Sequence, residues 1–205
     1  MRIITISREF GSGGRELGKR LAEGLNIPCY DHEIIELIAK ENGFDENYIA
    51  RVSESFIVAA YPATIGSHMM DYSMMNNVQL ETQATQRKII RAFAEKGDCV
   101  VVGRAADIIL RDYNPLNIFV YASQDAKLQR CRERAKEGEN FTDKEMIRKM
   151  KQIDKGRALY HNLLMDEAWG KKESYHLCIN TTDTEIKNLI PALVPYVNAW
   201  FENKK

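Results

Sequence analysis

No stretch of the chain approaches the roughly 20 consecutive apolar residues that cross a bilayer as a helix. The opening run within MRIITIS is too short for the apolar segment of a secretory leader. The four cysteines, Cys29, Cys99, Cys131 and Cys178, form no CxxC pair. That spacing argues against a zinc site or a disulfide framework and for a reducing compartment, so a cytoplasmic protein is expected. Net charge is lacking too. Lys+Arg and Asp+Glu both total 29, which leaves no global field for a nucleic acid or a membrane surface, and neither is expected as a partner. His32, His68, His161 and His176 show no catalytic or metal-binding spacing. There is no internal repeat and no low-complexity linker. A chain of 205 residues can bury one substantial core but is short for two, so one domain over 1–205 is expected.

What the sequence does contain is an alternation. Five short apolar runs are β-branched or aromatic and mostly unalternated: 3–6, 28–30, 99–102, 118–121 and 177–179. Strands buried on both faces of a parallel sheet read this way. Helical stretches separate them. Leu17, Leu21 and Leu25 repeat every four residues, Ile34, Ile35, Leu37 and Ile38 form a second apolar side, and Ile89, Ile90 and Phe93 a third. Strand and helix in this order predict a doubly wound α/β fold. A final helix over about 184–201 is expected to kink or restart at Pro191 and Pro195. Two stretches are less regular: 42–77, rich in Met, Tyr and Ser, and 138–172, basic and then interrupted by glycine. Between Lys127 and Arg157 eleven Lys/Arg face six Asp/Glu, a local basic excess hidden by the overall neutrality.

In open α/β sheets ligands bind beyond the carboxyl ends of the strands. The residues there are Ser7-Arg8, Asp31-His32, Gly103-Arg104, Ala122-Ser123 and Asn180-Thr181. Two arginines and an acid on one rim suit an anionic ligand with a hydrogen-bonding head.

After the first run comes SREFGSGGRELGKRL. Gly11, Gly13 and Gly14 allow positive φ and close backbone approach, and the helix that follows turns its free N–H groups and dipole toward the loop. A phosphate fits this arrangement better than a turn whose glycines serve packing alone. The match to GxxxxGK[ST] is imperfect. Counted back from Gly14, Glu9 stands for the first glycine, and Arg15 and Glu16 for the lysine and hydroxyl. Counted from Gly13, the three positions hold Arg8, Gly14 and Arg15. Neither register contains the lysine or the metal-binding hydroxyl.

With these motifs the chain resembles bacterial cytidylate kinases, and more closely the cytidylate kinase-like family with ISREFGSGG-type loops, from Arg2 to about Val197. ITISREFGSGGRE is similar to the family's strand and phosphate loop without its lysine. Gly103-Arg104 matches a Gly-Arg after the third strand, and IFVYASQDAKLQRCRER a strand leading into an arginine-rich lid. IDKGR resembles the lid's return limb, and LCINTTDTEIKNLI the strand and helix beside the adenine. The resemblance implies a three-layer P-loop NTPase fold: a five-stranded parallel sheet flanked by helices, with an acceptor-binding insertion at about 42–77 and a lid at about 130–172. It implies ATP-dependent phosphoryl transfer to a nucleoside monophosphate, CMP or dCMP, with ATP and Mg²⁺ as cofactors and a small-molecule nucleotide as partner.

On this reading Gly11, Ser12, Gly13, Gly14, Arg15 and Glu16 cradle the ATP phosphates, with Arg15 standing in for the lysine. Mg²⁺ is carried by the phosphates and water, with Glu16 the carboxylate at hand. Arg104 grips the acceptor phosphate, and Asp31 and Asp107 orient its nucleoside. Arg130, Arg134 and Arg157 close over the transferring group. Alternatives stand beside several of these. Arg104 could be a salt-bridged rim residue, Asp31 a helix N-cap, and Arg157 the exposed partner of Asp154 at i, i+3. Arg132 cannot share a helix face with both Arg130 and Arg134, and reads as surface. A nucleotide sensor without turnover and a kinase of another small acceptor are the rival functions.

Overall fold

A computed structural model describes residues 1–31, 34, 36, 37, 40, 41, 43, 69–135, 141–165 and 169–203. In chain order the elements are β1 (Ile3–Arg8), α1 (Gly14–Leu25), β2 (Cys29–Tyr30), α2 (Met69–Glu95), β3 (Cys99–Val102), α3 (Ala106–Ile109), β4 (Leu116–Tyr121), α4 (Gln124–Glu133), α5 (Asp143–Leu164), β5 (Leu177–Asn180) and α6 (Ile186–Glu202). The strands form one parallel sheet in the order β2-β3-β1-β4-β5. The expected five-stranded parallel sheet flanked by helices is therefore present. No helix among the described residues is long and apolar enough to cross a membrane.

The unalternated strands follow from cover on both faces. Ile3, Cys99 and Val101 pack with Ile89, Ile90 and Phe93 of α2 and with Ala106, Ile109 and Leu110. Their chain neighbours Ile4, Val100 and Val102 turn the other way, onto Leu17 and Leu21 of α1 and Leu193 and Val197 of α6. Successive side chains of a strand point to opposite faces, so the covered part of each strand is apolar on both. Burying one such side chain is worth about 1.5–3 kcal/mol.

Three boundaries differ from the expectation. The helix ending at Glu95 begins at Met69, so the last residues of the 42–77 stretch belong to it; of 42–68 only Gly43 is among the described residues. Gly156 does not interrupt the basic stretch. It is buried inside α5, a helix of 22 residues opened by a capping box between Thr142 and Glu145. Hydrogen bonds from Thr142 hold the Glu145 carboxyl below its usual range. Finally, α6 runs on through Pro191 and Pro195. Both prolines are exposed, so the carbonyls they leave without an N–H partner face water and the apolar side keeps the helix in place.

Candidate functional site

The loop between β1 and α1 takes the conformation its glycines permit. Gly11 and Gly13 have φ of 77° and 82°, where a side chain would be strained. Phe10 N–H donates to Asp154 Oδ1 at 2.7 Å and Ser12 N–H to the Glu9 carbonyl at 3.3 Å. Among the described residues no hydrogen bond is found for the N–H groups of Gly13, Gly14 and Arg15, and no side chain caps α1. These are the amides that a helix N-terminus offers an anion. The Ser12 hydroxyl donates to the Glu9 carbonyl at 2.8 Å.

Across from the loop, β3 ends in an unusual turn. Gly103, Arg104 and Ala105 are all left-handed, with φ of 75°, 60° and 51°. Two consecutive non-glycine residues in this region cost roughly 1–2 kcal/mol each, a strain that persists only where the surroundings fix it. Arg104 is only 5% exposed, and its carbonyl accepts from Gln86 Nε2 at 3.4 Å. Gln86 also donates to the Tyr160 hydroxyl at 2.8 Å, and burial pushes that phenol up to about 12.

The two basic helices complete the enclosure. Arg157 Nη1 on α5 donates to the Arg8 carbonyl at 3.1 Å and to Asp154 Oδ1 at 3.2 Å. Burial raises the Asp154 carboxyl above its usual range, against the lowering by the Phe10 N–H and the Arg157 charge. This pair is not the exposed i, i+3 contact the sequence allowed: the Arg157 side chain is 12% exposed. On α4, Arg130 donates to the Thr181 carbonyl and hydroxyl, and Thr181 in turn donates to the Ser12 carbonyl at 2.7 Å. Arg134 pairs with Glu16. Desolvation raises the Glu16 carboxyl, but hydrogen bonds and charge from Arg20 and Arg134 outweigh it and hold the group below its usual range. Arg132 pairs with exposed Asp143, on the surface as expected.

Between these walls lies a cavity of about 440 Å³. Arg8 and Arg104 enter it from the sheet, Arg15 from α1, Arg130 and Arg134 from α4, and Lys149 and Arg157 from α5. Two carboxylates, Glu9 and Asp31, share the lining. Glu9 is paired with Lys127 at 2.9 Å and Asp31 with Arg15. A second cavity of about 30 Å³, the size of one water, lies behind Arg8, Arg104 and Arg157.

The sequence candidates divide accordingly. Gly11, Gly13, Gly14, Arg15, Asp31, Arg104, Arg130, Arg134 and Arg157 come together on the large cavity. Ser12 is buried beneath the loop, and Glu16 lines an outer groove instead. Asp107 is not on the cavity wall. It is buried against His161 of α5, Nε2 to Oδ2 2.7 Å, where it joins the turn after β3 to that helix. The sequence placed it at the acceptor nucleoside; in the structure its Oδ2 faces His161 instead of the cavity. Sequence reasoning missed His161, Lys149 and the site role of Arg8. Arg8 had a signal, as an arginine at the end of a buried strand and at the first-glycine position of the loop pattern. His161 had none, since its partner lies 54 residues away.

A profile described as the cytidylate kinase-like family matches residues 3–183. The chain belongs to the cytidylate kinase-like family. Its fold is that of P-loop kinases. A crystal structure of an uncharacterized protein from Eubacterium ventriosum is 29% identical, covering 97% of this chain and 99% of that one, with a TM-score of 0.69. Shikimate kinase from Bacteroides thetaiotaomicron is 15% identical over 98% of each chain with a TM-score of 0.58. Shikimate kinase from Acinetobacter baumannii, in complex with shikimate, is 14% identical with a TM-score of 0.55, covering 100% of this chain and 96% of that one. No curated protein matches the chain. The arginine-lined cavity faces the glycine loop of this fold.

Proposed function

We propose that this protein transfers the γ-phosphoryl group of ATP to a nucleoside monophosphate, with CMP or dCMP the preferred acceptor. The observation that carries the reading is the charge of the large cavity: seven Arg/Lys against two carboxylates, both of those already paired. ATP and a monophosphate brought together concentrate negative charge, and phosphoryl transfer asks chiefly for positioning and cationic stabilisation. The unengaged amides at the start of α1 suit the donor phosphates. Arg104 suits the acceptor phosphate, because its turn is fixed before any ligand arrives. Arg157, tied to the Arg8 carbonyl, sits between the two. Among the described residues no cluster of three metal-ligating side chains occurs. Mg²⁺ fits as a companion of the phosphates, a mode it commonly adopts, and its chemistry would be to neutralise their charge.

The acceptor phosphate is itself the nucleophile. One of its oxygens bonds to the γ-phosphorus while the bond to the bridging oxygen breaks, leaving its electron pair on ADP. No proton has to move. Shikimate kinases share the fold, so the acceptor panel must reach beyond nucleotides. With Mg²⁺ and ATP, ADP formation is measured against CMP, dCMP, UMP, AMP and shikimate, and the highest kcat/KM is expected for CMP or dCMP. Tight ATP binding with no transfer to any acceptor would replace this reading with a nucleotide sensor. Transfer to shikimate alone would move the protein to another acceptor class.

A further inference from the structure

The missing lysine has a steric cause. In the register counted from Gly13, Gly14 occupies the lysine position of the phosphate loop. Gly14 is the first residue of α1, and its φ is not positive, so no backbone conformation demands a glycine. Space does. A Cβ on Gly14 would overlap the Cβ of Arg8, lie 3.0 Å from its Cγ, and lie 3.2 Å from Val120 Cβ. The stem of Arg8 fills the place where a lysine would begin.

The same side chain ends beside a second glycine, Gly103, whose φ of 75° favours glycine by itself. A Cβ on Gly103 would overlap Nη1 of Arg8 and stand 2.6 Å from its Cζ. Arg8 therefore leaves the end of β1, passes the first turn of α1, and sets its guanidinium against the backbone at the end of β3, next in the chain to Arg104. It is 9% exposed and lines both cavities. Its path runs from the donor loop to the acceptor clamp.

We infer that Arg8 supplies the cation that the phosphate-loop lysine provides in other P-loop kinases, with Gly14 and Gly103 as the two cut-outs that admit it. The inference rests on the phosphoryl-transfer reading and assigns a catalytic residue to it. A guanidinium can meet two oxygens of the transferring group at once, where an ammonium acts as a point charge. Its guanidinium lies between the glycine loop and Arg104, the place where a γ-phosphoryl would pass from donor to acceptor. Arg15, the replacement expected from sequence, has a side chain 67% exposed that is paired with Asp31.

The test compares Arg8→Met, Arg15→Met and the swap Arg8→Gly with Gly14→Lys. Each is measured for thermal stability, for ATP and ADP affinity with Mg²⁺, and for transfer to the best acceptor. Arg8→Met keeps the stem and removes the charge. It should lower kcat by about 10²-fold or more and abolish any preference for ATP over ADP, as loss of a group acting on the γ-phosphoryl does. Arg15→Met should cost less than about tenfold, and the swap should regain at least about tenfold of the rate lost in Arg8→Met. Full kcat and an unchanged ATP preference in Arg8→Met, or a larger loss in Arg15→Met, would overturn the inference and leave the proposed function standing. If the wild type binds ATP but transfers nothing, the proposed function fails, and the ATP-to-ADP preference alone decides Arg8. If the wild type does not bind ATP, both fall. Should Arg8→Met not fold, Gly14→Lys decides: it should destabilise wild type and be rescued by Arg8→Gly, and stability without rescue counts against the inference.

Discussion

The two walls of the cavity are built differently. On the β3 side Arg104 and Arg8 are buried and Arg157 largely so. The turn of Arg104 is fixed by three left-handed residues and Gln86, and Arg157 by Asp154 and the Arg8 carbonyl. On the α1–α4 side Arg15 and Arg134 are exposed, Arg15 paired with Asp31 after β2 and Arg134 with Glu16 of α1. A buried cation in a fixed turn is ready before its ligand arrives and contributes without reorganisation. An exposed pair can exchange its carboxylate for a phosphate at little cost, because such pairs are worth only about 0–1 kcal/mol. The contrast assigns strength to the first wall and adaptability to the second.

The sharpest way to break that contrast is to remove the support behind the buried wall. His161→Leu leaves the Asp107 carboxyl buried without the imidazole, a loss of about 3–5 kcal/mol, visible as a fall in Tm of about 10 °C or more for a chain of this size. Leucine at both 107 and 161 should be closer to wild type than either single change, and a milder His161→Leu than Arg132→Ala would refute the support.

Next comes the strand that carries the turn. Burial, with the Asp98 charge adding to it, pushes the Cys99 thiol up to about 11 from an ordinary 9.0. A thiol raised in the folded state contributes stability that is complete below its unfolded value and lost as pH rises through its folded one. The window is therefore pH 9 to 11, with a loss of up to about 3 kcal/mol. Denaturant melts should fall across it in wild type, and more shallowly in Cys99→Ala.

Arg104→Ala should lower kcat/KM for the acceptor by about 10²-fold, some 2.7 kcal/mol, while the KM for ATP changes less than about threefold. Equal effects on both substrates would place Arg104 elsewhere in the reaction. Gly14→Ala should cost about 1–3 kcal/mol by overpacking against Arg8, although alanine is the better helix former. In an Arg8→Gly background, which removes the overlapping Cβ, most of that cost should vanish, which a double-mutant cycle reads directly. Smallest of all, Arg132→Ala removes an exposed pair and should change stability by less than about 0.5 kcal/mol and kcat not at all.

Much of this fold was legible in the residues. The apolar runs announced strands covered on both sides, Leu17, Leu21 and Leu25 announced the face of α1, and Arg8 and Arg104 stood out as charges at the ends of buried strands. Arg130 and Arg134 were separable from Arg132 because helix spacing alone puts them on one face. Other features depended on contacts between distant elements. Nothing local marks Asp107 as the partner of His161, or Thr181 as the link between Arg130 and the loop, since segments far apart in the chain supply them.

The sequence by itself determined the parallel α/β sheet, the glycine loop and the placing of two arginines on one rim, because periodicity and strand-end position are local properties. Only the tertiary structure decided why the loop holds no lysine. Gly14 is empty of side chain because the stem of Arg8 crosses it, and the guanidinium ends against Gly103, which a left-handed turn already requires. Volume exclusion among three elements produces that pattern, and a linear sequence records the glycines without recording what fills the space beside them.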